Sequence, residues 1–135
     1  MIGKFIVNRC ANDATITGLI GARIFPIAAP QDTATPYITY QVSDAPVDTN
    51  KITGETKYNY AVTLTIYERL GKTVDAYERL EAVKDALRQE FNYNDSTAAG
   101  VIVEGSHYEG SDDGLVPETD FFYKQVRLMF RVRYT

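Results

Sequence analysis

A single histidine, a single cysteine and one run of carboxylates are what this chain offers for chemistry. His107 stands in EGSHYEG, inside a stretch that reads as a strand, with no nucleophile or metal ligand at a recognised spacing. It has no sequence partner that would make it a general base, and its plain reading is a surface or structural residue. Cys10 falls on an apolar helical stripe and reads as a small core residue. No base lies near it in sequence, and one brought close by the fold stays open. Asp112 and Asp113 precede Gly114, and Glu118 and Asp120 follow, so oxygen ligands for calcium are present in number. The alternating ligand spacing of an EF-hand loop is missing, and SDDG reads as a turn. There is no GxGxxG, no GxxxxGK[ST], no HExxH and no CxxC. The sequence assigns no catalytic residue, no metal ligand and no cofactor-binding residue.

Composition narrows the classes further. The 135 residues read as one domain, 1–135, large enough to bury a core without staples. A net charge of −4 argues against a nucleic-acid binder, because phosphate affinity comes from clustered cations. No apolar run approaches the roughly 20 residues of a membrane span. The opening MIGKFIVNRC is charged too early, at Lys4 and Arg9, for a secretory segment. One cysteine excludes an internal disulfide and fits a reducing compartment, so a cytosolic birth is expected.

The elements that must position any site follow from periodicity. Ile2, Phe5, Ile6 and Cys10 fall at helical spacing, which predicts a helix over residues 2–11. Asn12 or Asp13 reads as the N-cap of a short second helical turn, ATITGLIG, stopped by Gly18 or Gly21, with Ile16, Leu19 and Ile20 inward. RIFPI (23–27) contains Pro26, which donates no ladder bond, and reads as an edge strand. Residues 37–43 alternate, Ile38, Tyr40 and Val42 against Tyr37, Thr39 and Gln41. Residues 57–68 alternate again, with Tyr58, Tyr60, Val62, Leu64 and Ile66 on one face. The strongest helical pattern is 73–91, where Ala76, Tyr77, Leu80, Val83, Leu87 and Phe91 make one apolar face, Thr73 can cap, and Glu81–Lys84 and Asp85–Arg88 pair on the wet side. Residues 92–100 read as a polar turn, 101–109 as a strand, 111–120 as a loop and 121–134 as the longest strand. The order α, α, β, β, β, α, β, β predicts an α+β fold, a mostly antiparallel sheet with one face covered by a long helix and a short N-terminal helical segment.

Three features stand out once catalysis is set aside. In the last strand, Arg127, Arg131 and Arg133 share a face with Phe121, Tyr123 and Met129, a composition common in partner surfaces as well as on a solvated strand. Tyrosines 37, 40, 58, 60 and 67 admit the same two readings, strand former or contact residue. The segment 44–56, DAPVDTNKITGET, is long for a connection between two strands and carries Asp48, Lys51 and Glu55, with Lys57 at its edge. These seven charged residues, Asp48, Lys51, Glu55, Lys57, Arg127, Arg131 and Arg133, form the candidate assembly interface.

One further stretch carries identity. LIGARIFPIAAPQDTATPYITYQV, followed by an alternating strand and the helix DAYERLEAVKDAL, resembles the tail-completion or tail-terminator proteins of long-tailed phages and prophages. The likeness takes in Gly21 to Gln31, the strand from Pro36 to Tyr40, the helix and the closing aromatic–arginine strand, and so nearly the whole chain. The resemblance implies a virion protein at the head-proximal end of the tail, assembled in the host cytoplasm, that forms a sixfold ring with itself. Such a ring stops growth of the tail tube protein and meets the head-completion or connector protein, with genome DNA passing through and no sequence-specific nucleic-acid contact. It also implies no catalytic residue, no cofactor and no membrane. Two other readings stay open: a neighbouring stopper or connector protein of similar size, and a small α+β enzyme or ligand-binding domain using His107 and nearby carboxylates.

Overall fold

The structure, a computed structural model, describes residues 2–44, 48–49, 56–69, 75–92, 94–98 and 101–134. Helix α1 runs Ile2–Ala11, and Ile2, Phe5, Ile6 and Cys10 are all buried, as their spacing requires. The Asn12 amide donates to the Asn8 carbonyl at 2.9 Å as α1 ends. Asp13 then caps α2 (Ala14–Ile20): its carboxylate accepts from the Ile16 N–H at 3.0 Å. Such a cap contributes about 1 kcal/mol. Gly21, at φ 61, closes α2 with its N–H on the Thr17 carbonyl.

Strand β1 (Ile24–Pro26) pairs in parallel with β2 (Tyr37–Asp44), and it is an edge strand. This pairing sets what the proline-containing connection between them must do. Parallel neighbours need a crossover that carries the chain back to its starting end. Residues 27–36 make that return without a helix, Pro30 and Pro36 donating no backbone hydrogen bond within it. Its far end is tied down by the Arg23 side chain, whose Nε donates to the Pro36 carbonyl at 3.0 Å, and by the Ile38 N–H on the Arg23 carbonyl at 2.9 Å. The Thr35–Pro36 peptide is cis.

β3 (Asp48–Thr49) pairs with β4 (Thr56–Arg69), and α3 spans Asp75–Glu90. β5 (Asn94–Ala98), β6 (Val101–Leu115) and β7 (Phe121–Tyr134) complete a sheet of order β1-β2-β4-β7-β6-β5, with β3 beside β4 off that path. Every described pairing except β1–β2 is antiparallel. The fold is α+β, and the described helices pack on one sheet face. There Ile38, Val62, Leu64, Ile66, Val103, Val126, Leu128, Phe130 and Val132 meet Phe5, Ile6, Ile16, Ile20, Leu80, Val83, Leu87 and Phe91. Each such side chain contributes roughly 1.5–3 kcal/mol on leaving water.

Several expectations need correction. SDDG is not a turn: it lies inside β6, which continues to Leu115 instead of ending at residue 109. The expected polar turn at 92–100 contains β5, which pairs with β6 at the end of the described sheet order. On α3, Tyr77 is half exposed rather than part of the buried stripe, and Ala86 takes a buried place instead. Glu81 does pair with Lys84 at 2.8 Å, but it is not simply on the wet side, because it also binds the buried Lys124. Asp85 lies 3.4 Å from Lys84, and Arg88 sits over the Tyr108 ring, in place of the expected Asp85–Arg88 pair. Val42 is exposed despite sharing a face with the buried Ile38. The Thr73 cap lies outside the described residues.

Candidate assembly surface

The sheet face away from the helices carries no helix among the described residues. Strand alternation puts Phe121, Tyr123, Gln125, Arg127, Met129, Arg131 and Arg133 of β7 on it, while Phe122, Lys124, Val126, Leu128, Phe130 and Val132 point into the core. One end of this open face is aromatic. Tyr37 and Tyr67 are register partners and stack at 5.1 Å, Tyr37 meets Phe121 edge-on at 6.5 Å, and Tyr67 lies 6.3 Å from Tyr123. The Arg69 guanidinium lies 4.8 Å over the Phe121 ring. Thr39 and Thr65, register partners beside the stacked rings, are buried on this side of the sheet.

The other end is charged. Arg127 pairs with Asp112 across the β6–β7 ladder. Arg131 and Arg133 both reach Glu104, at 3.7 and 3.4 Å. The three arginine side chains remain 40–48% exposed, although the Arg133 Nε itself is buried. Exposed pairs of this kind contribute about 0–1 kcal/mol, so exchanging them for a partner's carboxylates costs little. β6 makes room for the long side chains: Gly105, Gly110 and Gly114 stand opposite Arg131, Arg127 and Tyr123. A Cβ on Gly110 or Gly114 would come within 2.8 Å of the Arg127 guanidinium or the Tyr123 hydroxyl.

Asp48 and Lys57 are register partners on β3 and β4. Lys51 and Glu55 lie outside the described residues. The structure therefore groups the three arginines, and separately sets Asp48 beside Lys57.

The remaining chemistry-bearing residues go elsewhere. His107, exposed opposite Met129, meets Glu109 at 2.5 Å. Cys10 is buried, and burial, reinforced by Glu90 and Asp13, pushes its thiol up to about 12, which leaves it an unreactive thiol. Asp112 and Asp113, weighed in the sequence as calcium ligands, face opposite sides of β6 and bind Arg127 and Lys124.

Sequence reasoning missed one polar cluster. Lys124, on the core face of β7, is almost wholly buried, with Glu81 of α3 and Asp113 of β6 at its ammonium and the Tyr77 ring 5.3 Å away. The Tyr77 hydroxyl donates to Asp113 at 3.1 Å. Hydrogen bonds from Lys124 and Lys84 pull Glu81 down to about 2. Beside this cluster the buried Glu68 accepts from Arg79 at 2.9 Å. The signal was a lysine in the middle of an alternating core face, a placement that requires a buried partner.

The chain resembles, with a TM-score of 0.65 and 18% identity over 95% of its length and 91% of the other chain, a solved structure described as the virion of a native gene transfer agent (GTA) particle. At that identity the likeness is one of fold. No curated protein matches the sequence. The family described as Tail completion protein gp17 matches residues 4–134, all but the ends of the chain. The chain belongs to the tail completion protein gp17 family.

Proposed function

We propose that this protein is a structural component of the phage tail that caps the head-proximal end of the tail tube as a sixfold ring, stopping tube growth and joining tail to head. The observation that carries the reading is family membership across residues 4–134. The open sheet face supports it: aromatic residues at one end and half-exposed arginines at the other suit a protein partner better than a small ligand. A ring needs a heterologous contact, in which one patch of each copy meets a different patch of the next and rotation closes the circle. Arg127, Arg131 and Arg133 form one side of that contact, and Asp48, Lys51, Glu55 and Lys57 contribute to the other. The tube protein and the head-completion protein take the two open ends of the ring. No step of this role calls for catalysis or a cofactor.

The test is genetic. A phage lacking this chain should make tails of uncontrolled length that do not join filled heads, and supplying the chain should restore both. Tails of normal length, correctly joined, in its absence would refute the reading.

A further inference from the structure

The outer end of β6 is attached differently from the rest of the sheet. β5 pairs with β6 only from Val101 to Gly105, so beyond Gly105 β6 has β7 as its single ladder partner among the described residues. The ladder is broken between Tyr108 and Gly110, where Gly110 sits at φ 142, a conformation that other residues rarely adopt. Past that bulge β6 buries no apolar side chain, and Leu115 is 63% exposed. β7 beneath it is locked, with Val126, Leu128, Phe130 and Val132 all buried and β4 paired on its far side.

One residue ties the outer arm of β6 to the helical layer. Asp113 accepts from the Tyr77 hydroxyl of α3 at 3.1 Å and lies 3.4 Å from the Lys124 ammonium. Glu81, itself held by Lys84, fixes Lys124 from the other side. We propose that residues 111–120 form a flap hinged at the Gly110 bulge and latched to α3 through Asp113. Opening it uncovers the outer edge of β7 from Phe122 to Val126 while leaving the core shut. Local opening of this kind is drawn from segments that bury little.

The latch is acid-labile. Asp113 is held below the usual aspartate range, first by the hydrogen bond from Tyr77 and then by the charge of Lys124, and Glu81 is held at about 2. Lowered carboxylates contribute while ionised, so the latch is complete above the ordinary aspartate range and is lost as acid protonates Asp113 below it. The charged and titratable groups around it are Tyr77, Glu81, Lys84 and Asp85 of α3, Lys124 of β7, the neighbouring Glu68–Arg79 pair between β4 and α3, and the exposed pairs that the flap's own Asp112 and Asp120 make with Arg127 of β7 and Arg69 of β4.

Amide hydrogen exchange on the intact chain tests this. Asp113→Ala at pH 7, and separately Tyr77→Phe, should lower protection of residues 111–115 at least tenfold, with Val103, Leu128 and Phe130 unchanged. Wild type taken from pH 7 to pH 3 should lose protection in 111–115 before those core amides, and Asp113→Ala should abolish that early acid phase. Protection that falls equally across the sheet would make Asp113 an ordinary stabilising residue and overturn the flap. Unchanged protection in both variants would overturn it too, as would an early acid phase that persists in Asp113→Ala.

Discussion

The rings of Phe91 and Phe130 meet edge-on, 5.8 Å between centroids and 81° between planes, where the chain leaving α3 reaches the C-terminal half of β7. Phe5 of α1 meets the same Phe130 ring edge-on from 6.3 Å. One residue of the central strand thus meets both α1 and the end of α3, and edge-to-face pairs add about 0.5–1.5 kcal/mol beyond area burial. Phe130→Ala should cost roughly 3–5 kcal/mol in urea unfolding and Phe130→Leu clearly less. Equal costs would mean that the volume filled at this junction does not matter.

The phase of α3 gives a second prediction. Leu80→Ala and Leu87→Ala should each cost roughly 2–5 kcal/mol, since both side chains are fully buried. Glu78→Ala, on the exposed side, should stay within about 0.5 kcal/mol. A costly Glu78 would rotate the helix relative to the sheet.

A third concerns the buried lysine. Glu81→Ala leaves the Lys124 ammonium with Asp113 and the Tyr77 ring and should cost roughly 1.5–3 kcal/mol at pH 7, the range for hydrogen bonds to charged groups. Glu81 titrates at about 2 in the fold against 4.5 in the unfolded chain, so its contribution is complete above about pH 4.5 and disappears as pH falls toward 2. The difference in stability between wild type and Glu81→Ala should therefore shrink on acidification through that window. A constant difference down to pH 2 would show that the carboxylate charge is not the cause.

β6 supplies a fourth. Gly114→Val places branched carbons where the Tyr123 hydroxyl lies and should displace that ring, lowering stability by about 1–3 kcal/mol and shifting the Tyr67 and Tyr123 ring signals in NMR spectra. Unperturbed Tyr67 and Tyr123 resonances would contradict this packing.

What the sequence made legible divides along physical lines. α1, α2, α3, β2, β4 and β7 were readable because each buries one face, and burial writes a period into the chain. β5, with the sequence NDSTA, writes no such period, being a polar edge strand. SDDG resembles a turn because small and acidic residues favour turns, yet in β6 the glycines answer bulky partners on β7, a cross-strand relation that no local window contains. The arginine face was legible from alternation, but its pairing with Glu104 and Asp112 depends on the β6 register and its bulges. Lys124 was visible as a break in an apolar pattern; Glu81, Asp113 and Tyr77 become its partners only through the packing of α3 over the hairpin.

The proposed contact face bears on assembly alone. Arg131→Glu with Arg133→Glu should leave the chain folded, because both arginine side chains are 40% or more exposed and lie off the helical core, while tail completion fails through mispaired charge. Full completion by this variant at matched stability would move the interface off the arginine face.

The most direct test is an electron-microscopic reconstruction of tails completed by this chain, calculated without imposed symmetry. The expected result is six copies closed into one ring on the last tier of tube protein at the head-proximal end. Density for this chain at another place in the particle, or as an isolated dimer or open chain of copies, would contradict the assignment.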